Sequence, residues 1–72
     1  MSKRKKYNRI KIMIVEKGRT SIWLAEQLGV SISAVSKWCT NSVQPGIESL
    51  FAIAEALDVD VRELLISTKK NT

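Results

Sequence analysis

Seventy-two residues carry 12 Lys and Arg against 7 Asp and Glu, a formal net charge of +5; that is chain enough for one small core and too little for a second domain or a deep substrate cleft. Histidine is absent and Cys39 is the sole cysteine, which excludes an intrachain disulfide, a Cys/His zinc site and a His-based catalytic triad. The longest apolar run is too short to span a bilayer and the first residues lack a secretory signal's apolar segment, so we expect a soluble cytoplasmic protein without membrane, metal, cofactor or small-molecule substrate.

Charge is unevenly spread. Residues 1–19 hold eight bases (Lys3, Arg4, Lys5, Lys6, Arg9, Lys11, Lys17, Arg19) and one acid, Glu16, whereas residues 45–66 hold five acids (Glu48, Glu55, Asp58, Asp60, Glu63) and one base, Arg62. The molecule should be electrically two-sided, with one side suited to phosphates. Residues 1–6 read as a basic arm without regular structure, 7–67 as the folded domain and 68–72 as a frayed tail. Lys3 to Arg9 suit an arm that follows phosphates or enters a minor groove, and a merely solvated basic tail is the plainer alternative.

The domain is predicted to be all-α, with five short helices. The first runs from about Tyr7 to Lys17, with Ile10, Met13, Ile14 and Lys17 on one face and Gly18 closing it. Thr20 caps a second helix, Ser21 to Leu28, whose inner face is Leu24, Ala25 and Leu28; Gly29 stops it. Ser31 caps a third, Ile32 to about Thr40, with Val35 and Trp38 inward. Asn41 to Pro45 reads as loop. A fourth helix follows Gly46, with Ile47, Leu50, Phe51, Ala54 and Leu57 as its apolar stripe. Asp60 and Glu63 form a capping box, with Val59 as a staple onto Leu64, for a fifth helix from Val61 to about Ile66. No strand signal or internal repeat is visible.

The segment Thr20 to Asn41 has the spacings that two tightly crossed helices require. Ala25 is small enough for close approach, and Gly29 stands where a positive φ penalises side chains. Leu24, Leu28, Val30, Val35 and Trp38 then close a shared seam, leaving Ile32, Ser33, Ser36 and Lys37 outward. This is the plan of a helix-turn-helix, whose second helix lies in a major groove. An ordinary helical hairpin is the alternative.

At L-A-E-Q-L-G-V-S (Leu24 to Ser31), V-S-K-W (Val35 to Trp38), Pro45 and L-F-A-I-A-E-A-L-D-V-D-V-R-E-L-L (Leu50 to Leu65) the sequence resembles the phage repressor and Cro-like (XRE-type) family, over about Asn8 to Leu65. The resemblance implies a compact five-helix, lambda-repressor-like domain that binds double-stranded DNA, commonly as a homodimer on a two-fold symmetric operator. It places the base-reading positions on Ile32, Ser33 and Lys37, with Ser36 nearby. Lys37 can donate to guanine O6 or N7, Ser33 can donate or accept, and Ile32 can lie on a thymine methyl. An exposed solvated lysine is the plainer reading of Lys37.

Thr20 and Ser21, at the start of the second helix, and Thr40, Asn41, Ser42 and Gln44, after the third, fall where the resemblance implies contacts with the DNA backbone. Simple loop polarity is the alternative for the latter four. The family often has glutamine where Ser21 stands, and a buried arginine–glutamate pair where this chain has Ile14 and Cys39. Loss of both charges together is what replacement of an ion pair by apolar packing looks like, so Ile14 and Cys39 are expected to touch. Ile22 and Trp23 are unusually apolar for an outer helix face: one should be partly exposed, unless Trp23 folds back.

These features favour a sequence-specific transcriptional regulator, a repressor by expectation, and not an enzyme. The alternative is a protein-interaction module of the same fold, such as an antitoxin or anti-regulator, for which Ile22 and Trp23 would be the contact.

Overall fold

Side-chain caps set the starts of the second and third helices in the computed structural model, which describes residues 5–69. Four α-helices, α1 Ile10–Glu16, α2 Ser21–Leu28, α3 Ile32–Cys39 and α4 Ile47–Leu57, precede a 3-10 turn, Val61–Leu64. Thr20 Oγ1 accepts the Trp23 N–H at 3.0 Å and Ser31 Oγ accepts that of Ala34 at 3.0 Å, so α2 and α3 start on the expected caps. Gly29 ends α2 at φ +67, a left-handed conformation that a Cβ would strain.

The first and last elements depart from expectation for one shared reason. Helix α1 begins at Ile10, not Tyr7, because Tyr7 to Arg9 pair with the end of the domain. Asn8 forms an isolated antiparallel bridge with Leu65, the Arg9 N–H donates to the Leu64 carbonyl at 2.8 Å, and the Ile66 N–H donates to that of Tyr7 at 2.9 Å. The Asn8 side-chain oxygen then accepts the Ile10 N–H at 3.0 Å where the helix starts. At the other end the expected fifth α-helix is a four-residue 3-10 turn. Its capping box is present, with the Asp60 N–H on Glu63 Oε2 at 3.0 Å, but Leu65 turns extended to meet Asn8. The domain therefore has four α-helices rather than five, and the bridge carries no periodic signal that sequence could show.

Ile10, Ile14, Leu24, Val35, Ile53 and Leu64 are the largest fully buried side chains. Each contributes about 1.5–3 kcal/mol of apolar burial. Helix α2 packs on α3 and α4, and α1 packs on α3 and the 3-10 turn, so every element touches the core.

Four expected inner residues lie elsewhere. Lys17 is exposed just beyond the last turn of α1, and Val30 is exposed rather than in the α2–α3 seam. On α4 the buried arc is Leu50, Ile53, Ala54 and Leu57, while Ile47 and Phe51 are 67% and 57% exposed. Around the helix, residue 51 lies about 100° to one side of residue 50 and residue 53 about 60° to the other, so the stripe expected from sequence is rotated toward Phe51 and omits Ile53.

Candidate nucleic-acid interface

The turn between α2 and α3 is fixed by backbone geometry. The Val30 N–H reaches back to the Ala25 carbonyl at 3.1 Å, and Ala25 itself is buried. Leu24, Val35 and Trp38 are buried across this crossing and Leu28 packs against them. With α3 held on its inner side by α2 and α1, its other side is open: Ile32, Ser33, Ser36 and Lys37 are all exposed, Ile32 by 52%. These four positions recur at helical spacing on one face. Helix α3 contains no acid, and Lys37 makes no ion pair among the described residues. The face thus offers one cation, two hydroxyls and one branched apolar side chain.

At the end of α3 that adjoins α2, Ser21 is half-buried and its Oγ lies 3.8 Å from Cys39 Sγ. Thr20 is exposed, its hydroxyl oxygen occupied in capping. Helix N-termini present N–H groups that favour anions. After α3, the Thr40 and Ser42 hydroxyls are 2.7 Å apart and both residues are exposed.

Asn41 and Gln44, expected at a nucleic-acid backbone, hydrogen-bond the protein's own chain. Asn41 is buried at φ +62. Its Oδ1 accepts the N–H groups of Tyr7 at 2.8 Å and Asn8 at 3.0 Å, and its Nδ2 donates to the Asn8 carbonyl at 3.2 Å. Gln44 Oε1 accepts from Asn8 Nδ2 at 2.7 Å and its Nε2 donates to Asn41 Oδ1 at 3.2 Å. Polar loop residues are directed here by the unpaired peptide groups of the incoming N-terminal segment.

Of the basic arm, Lys3 and Arg4 lie outside the described residues. Lys6 is exposed, and the Lys5 ammonium lies 5.6 Å from the centroid of the Tyr7 ring. Arg9 is tied to the fold: its Nη1 donates to the Glu63 carbonyl at 3.1 Å and its Nη2 lies 3.8 Å from Glu16.

Ile14 is fully buried, and Cys39 packs half-buried on the same core. Ile22 is 54% exposed, whereas Trp23 is half-buried against the core. The Arg19 guanidinium stacks 4.4 Å from the centroid of a Trp23 ring, a contact that sequence reasoning missed although the i, i+4 spacing was visible. Acids gather on α4 and the 3-10 turn, where Glu48, Glu55, Asp58, Asp60 and Glu63 are exposed. There Arg62 hydrogen-bonds Asp60, holding its carboxyl below the usual range and raising the guanidinium in turn. No helix of the described residues is long and apolar enough to cross a membrane, and no metal-ligating cluster occurs among them.

A helix-turn-helix family model matches residues 10–64 of the chain. The crystal structure of a candidate DNA-binding protein from Bacteroides fragilis is similar at a TM-score of 0.81 and 49% identity, covering 82% of this chain and 95% of that one. Among curated proteins nothing matches the chain.

Proposed function

The chain belongs to the Cro/C1-type helix-turn-helix family, and on that premise we propose that it is a sequence-specific DNA-binding regulator, a repressor, that lays α3 in the major groove of double-stranded DNA. The observation that carries this reading is the open face of α3. Ile32, Ser33, Ser36 and Lys37 are together exposed, uncovered by the protein's other elements and free of acids. Lys37 donates to guanine, Ser33 and Ser36 take donor or acceptor edges, and Ile32 meets a thymine methyl. Thr20, Ser21, Thr40 and Ser42 flank that face on the backbone side, and residues 1–6 add attraction as a basic arm ahead of the domain.

Two copies bind a two-fold symmetric operator, one recognition helix per half-site, with half-sites about one turn apart. Ile47 and Phe51, exposed one turn apart on α4, support pairing as an apolar surface for a second copy to cover.

Selection from random-sequence duplexes tests the reading. The expected result is an enriched motif with two inverted halves. No enrichment would favour the second reading, a protein-interaction module such as an antitoxin or anti-regulator, for which the exposed Ile22 beside the Arg19–Trp23 stack is the specific observation.

A further inference from the structure

Two of the surface concavities adjoin the 3-10 turn and include carboxylates in their walls. A third differs in chemistry. It is a cavity of about 290 Å³ between α1, the end of α3 and Ile66; its wall includes Lys6, Arg9, Lys11 and Cys39, and it contains no acid. The Arg9 guanidinium is already engaged by Glu63 and Glu16. Lys6 and Lys11 are exposed and make no ion pair among the described residues. Two lysines without ion pairs lining an acid-free hollow attract an anion.

The polar lining narrows the choice of anion. Asn8 and Asn41 also line the cavity, and their amides are bonded to the protein's own chain. Selection there is therefore by charge and size and not by a pattern of hydrogen bonds, which suits a phosphodiester and not a base edge. The volume lies at or below the lower end of the roughly 300–1,000 Å³ typical of organic ligand sites.

Position supplies the rest. Cys39 forms part of the cavity wall, and its Sγ is 3.8 Å from Ser21 Oγ at the first residue of α2. The hollow thus adjoins the helix end that faces the DNA backbone in the proposed docking. We propose that this cavity seats a backbone phosphate of the bound DNA, with Lys6 and Lys11 as positioning residues that fix how far α3 enters the groove. The inference rests on the DNA-binding reading and adds to it Lys11, which lies outside the basic arm.

The test is the salt dependence of DNA affinity, measured on the full chain for Lys6→Ala, Lys11→Ala and the double variant, with circular dichroism checking the fold. The slope of log affinity against log salt should fall by about one per lysine, with relative preference among duplex sequences unchanged. Lys17→Ala, at the far end of α1, should leave the slope as it was. An unchanged slope in the double variant, or an equal fall in Lys17→Ala, would overturn the seat. Inorganic phosphate supplies a separate arm: saturation of the Thr40 amide shift by phosphate alone at submillimolar concentration would make the cavity a free-anion site and also overturn the proposal. If duplex selection gave no motif while the slope still fell, base reading would fail and the seat would stand. A motif with an unchanged slope would mean the reverse.

Discussion

The carboxamide of Asn41 and the main chain of Asn8 bond to each other in both directions, Oδ1 accepting the Asn8 N–H at 3.0 Å and Nδ2 donating to the Asn8 carbonyl at 3.2 Å. One side chain thereby does what a neighbouring strand would do, satisfying both main-chain groups of a buried residue that has no ladder on that side. The backbone of Asn41 is left-handed at φ +62, a conformation that asparagine tolerates better than most residues.

Removing that side chain should be among the costlier single changes in the domain. Asn41→Ala leaves the buried Asn8 N–H without its partner, at about 1–3 kcal/mol per orphaned group, and strains the left-handed backbone besides. Asn41→Gly removes the same bonds but relieves the strain, so it should be more stable than the alanine variant by about 1 kcal/mol. Urea unfolding checks both; an Asn41→Ala midpoint equal to wild type would remove the residue from this role.

The helix caps are expected to act locally. Thr20→Ala and Ser31→Ala each lose an oxygen that accepts a first-turn N–H at 3.0 Å, and each should cost about 1 kcal/mol. Ser31→Gly should cost only a few tenths. Thermal melts that ranked the glycine variant below the alanine variant would contradict the capping account.

Lys37→Ala should weaken binding to a selected operator and relax discrimination at one base pair by about 1–3 kcal/mol. Competition among operators differing at single positions makes the measurement. Were every duplex weakened in the same proportion, the lysine would contribute charge alone.

Acid should loosen the 3-10 turn in a defined order. Arg62 hydrogen-bonds Asp60 and holds its folded-state carboxyl below the usual aspartate range. A lowered folded value means that the stabilisation is complete above the ordinary aspartate range and is lost as pH falls through the lowered one. Carboxyl chemical shifts should show Asp60 titrating below an unpaired aspartate, and Arg62→Ala should bring it back up. An Asp60 midpoint that did not move in Arg62→Ala would leave the pair without effect.

How far the fold could be read from sequence depended on how local its causes are. Thr20, Ser31 and the Asp60–Glu63 box declare themselves because a cap needs only residues within one turn. Gly29 does so because its conformation excludes most side chains. Tyr7 to Arg9 could not be read correctly, since the partners that pull them out of a helix lie at residues 64–66. The inward hydrogen bonds of Asn41 and Gln44 were hidden for the same reason: which peptide groups a polar loop side chain meets depends on what arrives beside it from elsewhere. On the α3 face the outward positions followed from helical period alone. The basic hollow did not, because Lys6, Lys11 and Cys39 are brought together only by packing.

The antiparallel link between Asn8 and Leu65 closes the domain on itself. A nascent chain that has emerged only as far as α4 still lacks Leu64, a fully buried core residue, and the carbonyl that receives Arg9. On the ribosome, maturation of the domain must therefore wait for residues 64–66 to reach residues 7–9, so completion is a ring-closing event rather than steady growth from one end. With residues 8 and 65 side by side, a short peptide joining the two sides of that link and a new opening at the exposed Gly18 would give a circularly permuted chain able to keep the same packing.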